Sequence, residues 1–132
     1  MQGIRLHSRD GIDAMVLEEF DLPAPGPGEA QIAVHAAGVN FGDTLMVTGQ
    51  YQEKPDLPFS PGMEAAGKVI ALGAGVDNVS VGDRVMGSIG YGGFAEAANV
   101  PSANLTPVPD DMDWATAAAF PVAYGTSHVA LT

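Results

Sequence analysis

The chain has 132 residues, enough for one domain with a real core, and its 16 acidic and 5 basic residues leave a net charge of −11. That balance repels phosphate backbones and anionic lipid, which argues against nucleic-acid and membrane partners. There is no cysteine, so a disulfide framework and a thiolate zinc site are excluded, and 17 glycines with 10 prolines favour a turn-rich β architecture over a helical bundle.

In chain order, Gln2 to His7 alternates apolar and polar residues, with Ile4 and Leu6 on one face, as a half-buried strand does. Asp10-Gly11 signals a turn. Met15 to Leu22 is a second strand, partly exposed at Glu18 and Glu19. Pro23 to Gly28 breaks both helix and strand and forms a loop. Glu29 to Val39 alternates again, placing Ile32, Val34 and Ala36 on one face and Gln31, Ala33, His35 and Ala37 on the other.

The period then changes. Asp43 to Val47 forms a short helix before Gly49, with Leu45 and Met46 turned inward, and Gln52 to Ser60 is a polar, Pro-rich loop. Met63 to Leu72 reads as a strand, Val79 to Gly87 as a tight turn into a strand, and Phe94 to Val100 as a strand of small residues. Pro101 to Pro109 is loop with a short extended piece. Asp113 is placed to cap a helix through Phe120, because its carboxylate can accept free N–H groups at the helix start. Pro121 is expected to end that helix and open a second one through Leu131. A chain that stops inside an apolar helical pattern reads as a portion of something longer.

The densest mixture of Gly, Pro and polar side chains beside apolar runs lies between Gly38 and Gly67, the signature of backbone placed for close approach to a ligand. Asn40 offers a donor and an acceptor suited to a carboxamide or a ribose hydroxyl. A turn Asn bonding its own backbone is the plainer alternative. Tyr51 and Phe41 offer flat apolar rings, with core packing as the alternative. His7, His35 and His128 share no metal-ligand spacing.

Four motifs in fixed order carry a resemblance. They are Gly38-Val39-Asn40-Phe41, Pro61-Gly62-Met63-Glu64-Ala65-Ala66-Gly67, Val81-Gly82-Asp83-Arg84-Val85 and Gly92-Gly93-Phe94-Ala95-Glu96. The sequence resembles the medium-chain dehydrogenase/reductase superfamily. Within it, the nearest likeness is to the zinc-independent NADPH:quinone oxidoreductases, the zeta-crystallin-like group. The resemblance covers essentially the whole chain and implies a mainly β, GroES-like, partly open barrel with a few short helices. It also implies that residues 1–132 are the N-terminal part of a catalytic domain, with the dinucleotide-binding Rossmann domain outside this chain.

The resemblance implies roles for particular residues. Asn40 would act at the nicotinamide of NADPH, with Gly62, Met63 and Thr126 as further cofactor contacts. Phe41, Leu45 and Tyr51 would wall the acceptor slot. Zinc-dependent relatives have a Cys near the position of Asn40 and a His at that of Met63, so no metal is expected here. Glu64 stands where those relatives have a carboxylate behind the metal, and here implies a buried, paired acid. Asp43 reads as structural. Many relatives carry Tyr where this chain has Leu45, so no proton donor is expected at that position.

The implied activity is hydride transfer from NADPH to a quinone or another conjugated carbonyl, in a cytoplasmic enzyme that is a homodimer when complete. An enoyl-thioester reductase of fatty acid or polyketide synthesis shares these motifs. A non-enzymatic GroES-like interaction module is the alternative of another class.

Overall fold

The computed structural model describes residues 1–51 and 54–131, with side chains through residue 122. Its seven strands are β1 (Gln2–Leu6), β2 (Met15–Glu19), β3 (Glu29–Gly38), β4 (Glu64–Leu72), β5 (Arg84–Ser88), β6 (Ala97–Pro101) and β7 (Leu105–Pro107). Two α-helices accompany them, α1 (Phe41–Val47) and α2 (Trp114–Leu131). Strands β1 and β2 form an antiparallel pair, and the other five form an antiparallel sheet in the order β6-β3-β4-β5-β7. Isolated bridges from Gly3 to Ala95 and from Leu6 to Phe59 tie the pair to the rest, so the sheets curl together without closing.

The long central strands β3 and β4 carry the core. Ala30 and Ile32 of β3 meet Ala65 and Val69 of β4, Val85 of β5 and Val100 of β6 in one cluster. Behind β4, Ala66, Met86 and Val108 pack against Ala117 and Ala118 of α2. A third cluster joins Leu6 and Phe59 to Met46 and Val47 of α1. The first half of β4 is therefore buried on both faces, which is why it reads as small residues rather than as an alternating strand.

The simple alternation expected for β3 does not hold along its length. The register against β4 shifts between Val34 and Ala36. Val34 and Ala37 pack on the first cluster, while Ala36 turns to the helix side. A bulge inserts one residue and resets the period, so a strict two-residue pattern assigns Ala36 and Ala37 to the wrong faces.

Helix α1 begins two residues earlier than expected, at Phe41, because Asn40 and Asp43 form a capping box in which the Asn40 N–H donates to Asp43 Oδ2 at 2.8 Å. Gly49, at φ +75°, stops it. Met46 and Val47 point inward, but Leu45, expected with Met46 in the interior, is only half-buried. The strand expected from Phe94 starts at Ala97.

At the far end, Asp113 caps α2 as expected: the Thr116 N–H donates to Asp113 Oδ1 at 2.7 Å. The two helices expected around Pro121 are one, running from Trp114 to Leu131 with Pro121 inside. Proline supplies no N–H to the preceding turn, and the next amide, Val122, donates outside the helix to Glu64 Oε2 at 2.8 Å. A side chain on another element thus supplies an acceptor at the proline, and the helix continues. No helix among the described residues is long and apolar enough to cross a membrane.

Helix α2 is seated through Trp114, whose ring stacks on His35 at 4.5 Å between centroids and receives the Arg84 guanidinium at 4.5 Å. Arg84 also donates to the Pro109 carbonyl at 3.3 Å and the Met112 carbonyl at 2.9 Å, clasping the loop before the helix.

The β3–β4 contact is tight enough to predict the effect of one methyl group. A Cβ at Gly67 would land on the Ala33 carbonyl oxygen of the neighbouring strand. Gly67→Ala is expected to destabilise the fold by about 3 kcal/mol or more, through overpacking against a backbone that cannot yield. Urea denaturation measures it, and a loss under about 1 kcal/mol would mean that the strands separate easily here.

Candidate functional site

The Gly38–Gly67 stretch converges on one buried carboxylate. Glu64, the first residue of β4, is 3% exposed. Its Oε1 accepts the Asn40 Nδ2–H at 3.1 Å, and its Oε2 accepts the Val122 N–H at 2.8 Å. No cation pairs with it among the described residues; two neutral donors replace water around its charge. It holds together the start of β4, the cap of α1 and the proline in α2. A Cβ on Gly38, paired with Glu64 across the β3–β4 ladder, would overlap Glu64 Oε1. The glycine is what leaves room for the acid.

Asp43 is the second buried acid, 5% exposed. Burial raises its pKa above 3.8, and the negative charge of Glu64 raises it further, while the amides of Asn40, Gly62 and Met63 pull it down. Its Oδ2 takes the Asn40 amide, but its Oδ1 is buried with no hydrogen bond of good geometry. The structural role expected for Asp43 fits these partners.

Asn40 is therefore held from two sides, as the helix cap and as the donor to Glu64. Its half-buried amide retains hydrogen-bonding capacity, since the bond to Glu64 uses one of two N–H groups. Val39 and Phe41 flank it at 79% and 77% exposure. An anchored carboxamide between two exposed apolar side chains is suited to a flat ring bearing an amide.

Met63 and Tyr51 are half-buried, and both crowd Gly42: a Cβ there would lie 2.7 Å from Met63 Sδ and 3.1 Å from Tyr51 Cε1. Both side chains also pack against the Leu6–Met46 cluster. Gly62 is buried at φ +110°, and the space its side chain would need is filled by the backbone of Gly93 and Phe94. This glycine lets two chain segments touch. The side chain of Thr126 lies outside the described residues.

The outward face of α1 lines an open groove of about 590 Å³. Phe41, Thr44, Leu45 and Thr48, at helical spacing, form one wall, and Gln50 continues it. Asp10, Ile12 and Asp13 form the other. Phe41 and Leu45 thus line one groove, whereas Tyr51 packs elsewhere. The wall from residues 10–13 went unread in the sequence. It is brought in by a bond from the Gly11 N–H to the Val47 carbonyl at 3.2 Å, and no local pattern announces that contact.

The donor set does not suit zinc. Both Glu64 oxygens are engaged, Asn40 Nδ2 faces Glu64, and no group of three His, Cys, Asp or Glu side chains among the described residues converges on a point.

Residues 26–110 match the model of the alcohol dehydrogenase GroES-like domain. The chain is 44% identical over 117 residues to quinone oxidoreductase-like protein 2 of Bos taurus, covering 89% of this chain and 34% of that protein. It is 37% identical over 131 residues to a synaptic vesicle membrane protein VAT-1 homolog-like of Homo sapiens, covering 99% and 31%. Among solved structures, Escherichia coli quinone oxidoreductase complexed with NADPH superposes with a TM-score of 0.92 at 30% identity, over 99% of this chain and 40% of that one. Human VAT-1 homolog-like protein gives 0.92 at 36% identity, over 98% and 42%. The chain spans about a third of the length of the curated relatives it matches.

The titration of Asp43 is a direct check on the site. Its raised pKa means that its contribution to stability is fully present below the unfolded value of 3.8 and is lost as pH rises through the folded value. Asp43→Asn removes that dependence, so its stability should improve relative to wild type as pH rises from below 3.8 to neutrality. Urea midpoints across that range decide it; a constant difference would show that Asp43 titrates as an ordinary carboxyl.

Proposed function

Because this chain belongs to the alcohol dehydrogenase GroES-like domain family, we propose that it is the catalytic-domain portion of an NADPH-dependent, zinc-independent oxidoreductase that reduces a quinone or another conjugated carbonyl. The observation that carries the reading is Asn40, a half-buried amide anchored by Glu64 and the cap of α1, between the exposed Val39 and Phe41 beside the groove. Support also comes from relatives named as quinone oxidoreductases, one of them solved as an NADPH complex.

The nicotinamide, when bound, supplies the hydride. Asn40 orients its carboxamide, with the Gly62–Met63 backbone beside it. Glu64 is a positioning residue: it keeps the Asn40 side chain in one orientation and excludes water from behind it. Phe41 and Leu45 hold the acceptor flat in the groove. The proton that completes the reduction is assigned to water: Leu45 carries no acidic hydrogen, and the open groove beside it is lined by Thr hydroxyls and two exposed carboxylates that water can reach. Quinone plus hydride plus proton gives hydroquinone, and the nicotinamide is oxidised.

In the complete enzyme, Asn40→Ala is expected to lower kcat/KM for NADPH-driven naphthoquinone reduction by about 5-fold to 150-fold, through loss of a polar partner worth ~1–3 kcal/mol. Elemental analysis after dialysis should find no stoichiometric zinc. A kcat/KM within about twofold of wild type, or one zinc per chain, would remove the basis of the reading.

The phosphates and adenosine would bind a domain outside this chain, leaving too few contacts here for tight binding. Residues 1–132 alone are accordingly expected to bind NADPH with a Kd of about 1 mM or weaker. Micromolar binding by calorimetry would place the cofactor site within this domain instead.

A further inference from the structure

The groove beside α1 has a chemical character that narrows its ligand. Its apolar surface comes from Ile12, Phe41 and Leu45, with Ile12 58% and Phe41 77% exposed. Its described charged lining residues are two carboxylates, Asp10 and Asp13, with no cation among them. The turn that carries these acids is anchored. Gly11 N–H bonds the end of α1, Arg9 Nη2 donates to the Pro55 carbonyl at 2.7 Å, and Ala14 and Met15 pack on the cluster beneath α1. The backbone that presents the acids is therefore fixed, the Ser8 hydroxyl donates to Asp10 Oδ2 at 2.8 Å, and the chain's net charge of −11 reinforces their field.

We propose that this groove admits flat, uncharged acceptors and rejects anionic ones, with Asp10 and Asp13 setting the charge preference and Ile12 completing the apolar wall. The inference rests on the reductase reading for its biological sense. It separates acceptors by charge: a simple quinone or enone is neutral, whereas an acceptor with a carboxylate or sulfonate on its ring carries an anion into the groove beside the acids. At the separations a groove of this size allows, two carboxylates weaken a monoanion's binding by about fivefold in low salt, and added salt screens the effect.

The test is binding, followed by amide NMR on this chain with 1,4-naphthoquinone and its 2-sulfonate as probes. The absence of cysteine removes thiol trapping of the quinone. Naphthoquinone is expected to shift the amides of Ile12, Phe41 and Leu45. The sulfonate should bind about fivefold more weakly in low salt, and the gap should close in high salt and in Asp10→Asn/Asp13→Asn. Asp13→Asn alone, at an exposed position, should close part of it.

Equal affinity for the two probes, a gap that survives neutralisation of both acids, or shifts confined to another surface would each overturn the proposal. Turnover by the complete enzyme is scored separately. Neutral-selective binding without NADPH-driven reduction would sink the reductase reading and leave the groove assignment standing; reduction with probe shifts elsewhere would do the reverse.

Discussion

The structure depends on burying the Glu64 carboxylate among neutral donors, with no counter-ion among the described residues. Taking an ionised acid out of water is costly unless donors replace the solvent. Here the donors are the Asn40 amide and the Val122 N–H, from elements distant in sequence. Each would itself need a new partner if the acid were removed, at about 1–3 kcal/mol for a buried group left unpaired. The acid thus holds the cap of α1 and the middle of α2 in one relation to β4. Asp43 is buried beside it, and its pKa is raised first by that burial and then by the field of the Glu64 charge.

Around this point the chain is built for closeness rather than bulk. Gly38 makes room for the acid, and Gly67 lets β3 and β4 meet where β3 bulges. Small side chains on β4 let α2 lie directly on the sheet. Val39 and Phe41, two bulky apolar residues that remain exposed, stand beside Asn40. Packing and site therefore share the same stretch: small residues bring backbones together, Met46, Val47 and Phe59 fill the core, and Val39 and Phe41 face outward.

Much of this could be read before any coordinates. Alternation located β1 and the first half of β3, small residues marked β4, and the motif order identified the mainly β domain. What escaped reading was produced by contacts between distant segments. The bulge near His35 depends on how β4 pairs, so periodicity alone misassigned Ala36 and Ala37. Pro121 was expected to break the helix, but a carboxylate 57 residues upstream of it accepts the next amide, and α2 runs on. Asn40 stood out as a polar residue in a Gly-rich turn, but its attachment to Glu64 needed the folded β3–β4 pair. The 10–13 wall of the groove is invisible locally, because only a bond to the end of α1 brings it there.

The seating of α2 also gives the molecule an optical handle. The chain has a single tryptophan, and it lies stacked on His35 on one side with the Arg84 guanidinium over its ring. Both neighbours belong to the sheet, while the indole belongs to the helix. Its emission therefore reports one event, the lifting of the helix from β3 and β5, without interference from a second fluorophore of its kind. Anything that pulls on the far end of α2, whether a following domain or a ligand lodged against it, would register as a colour change at its root.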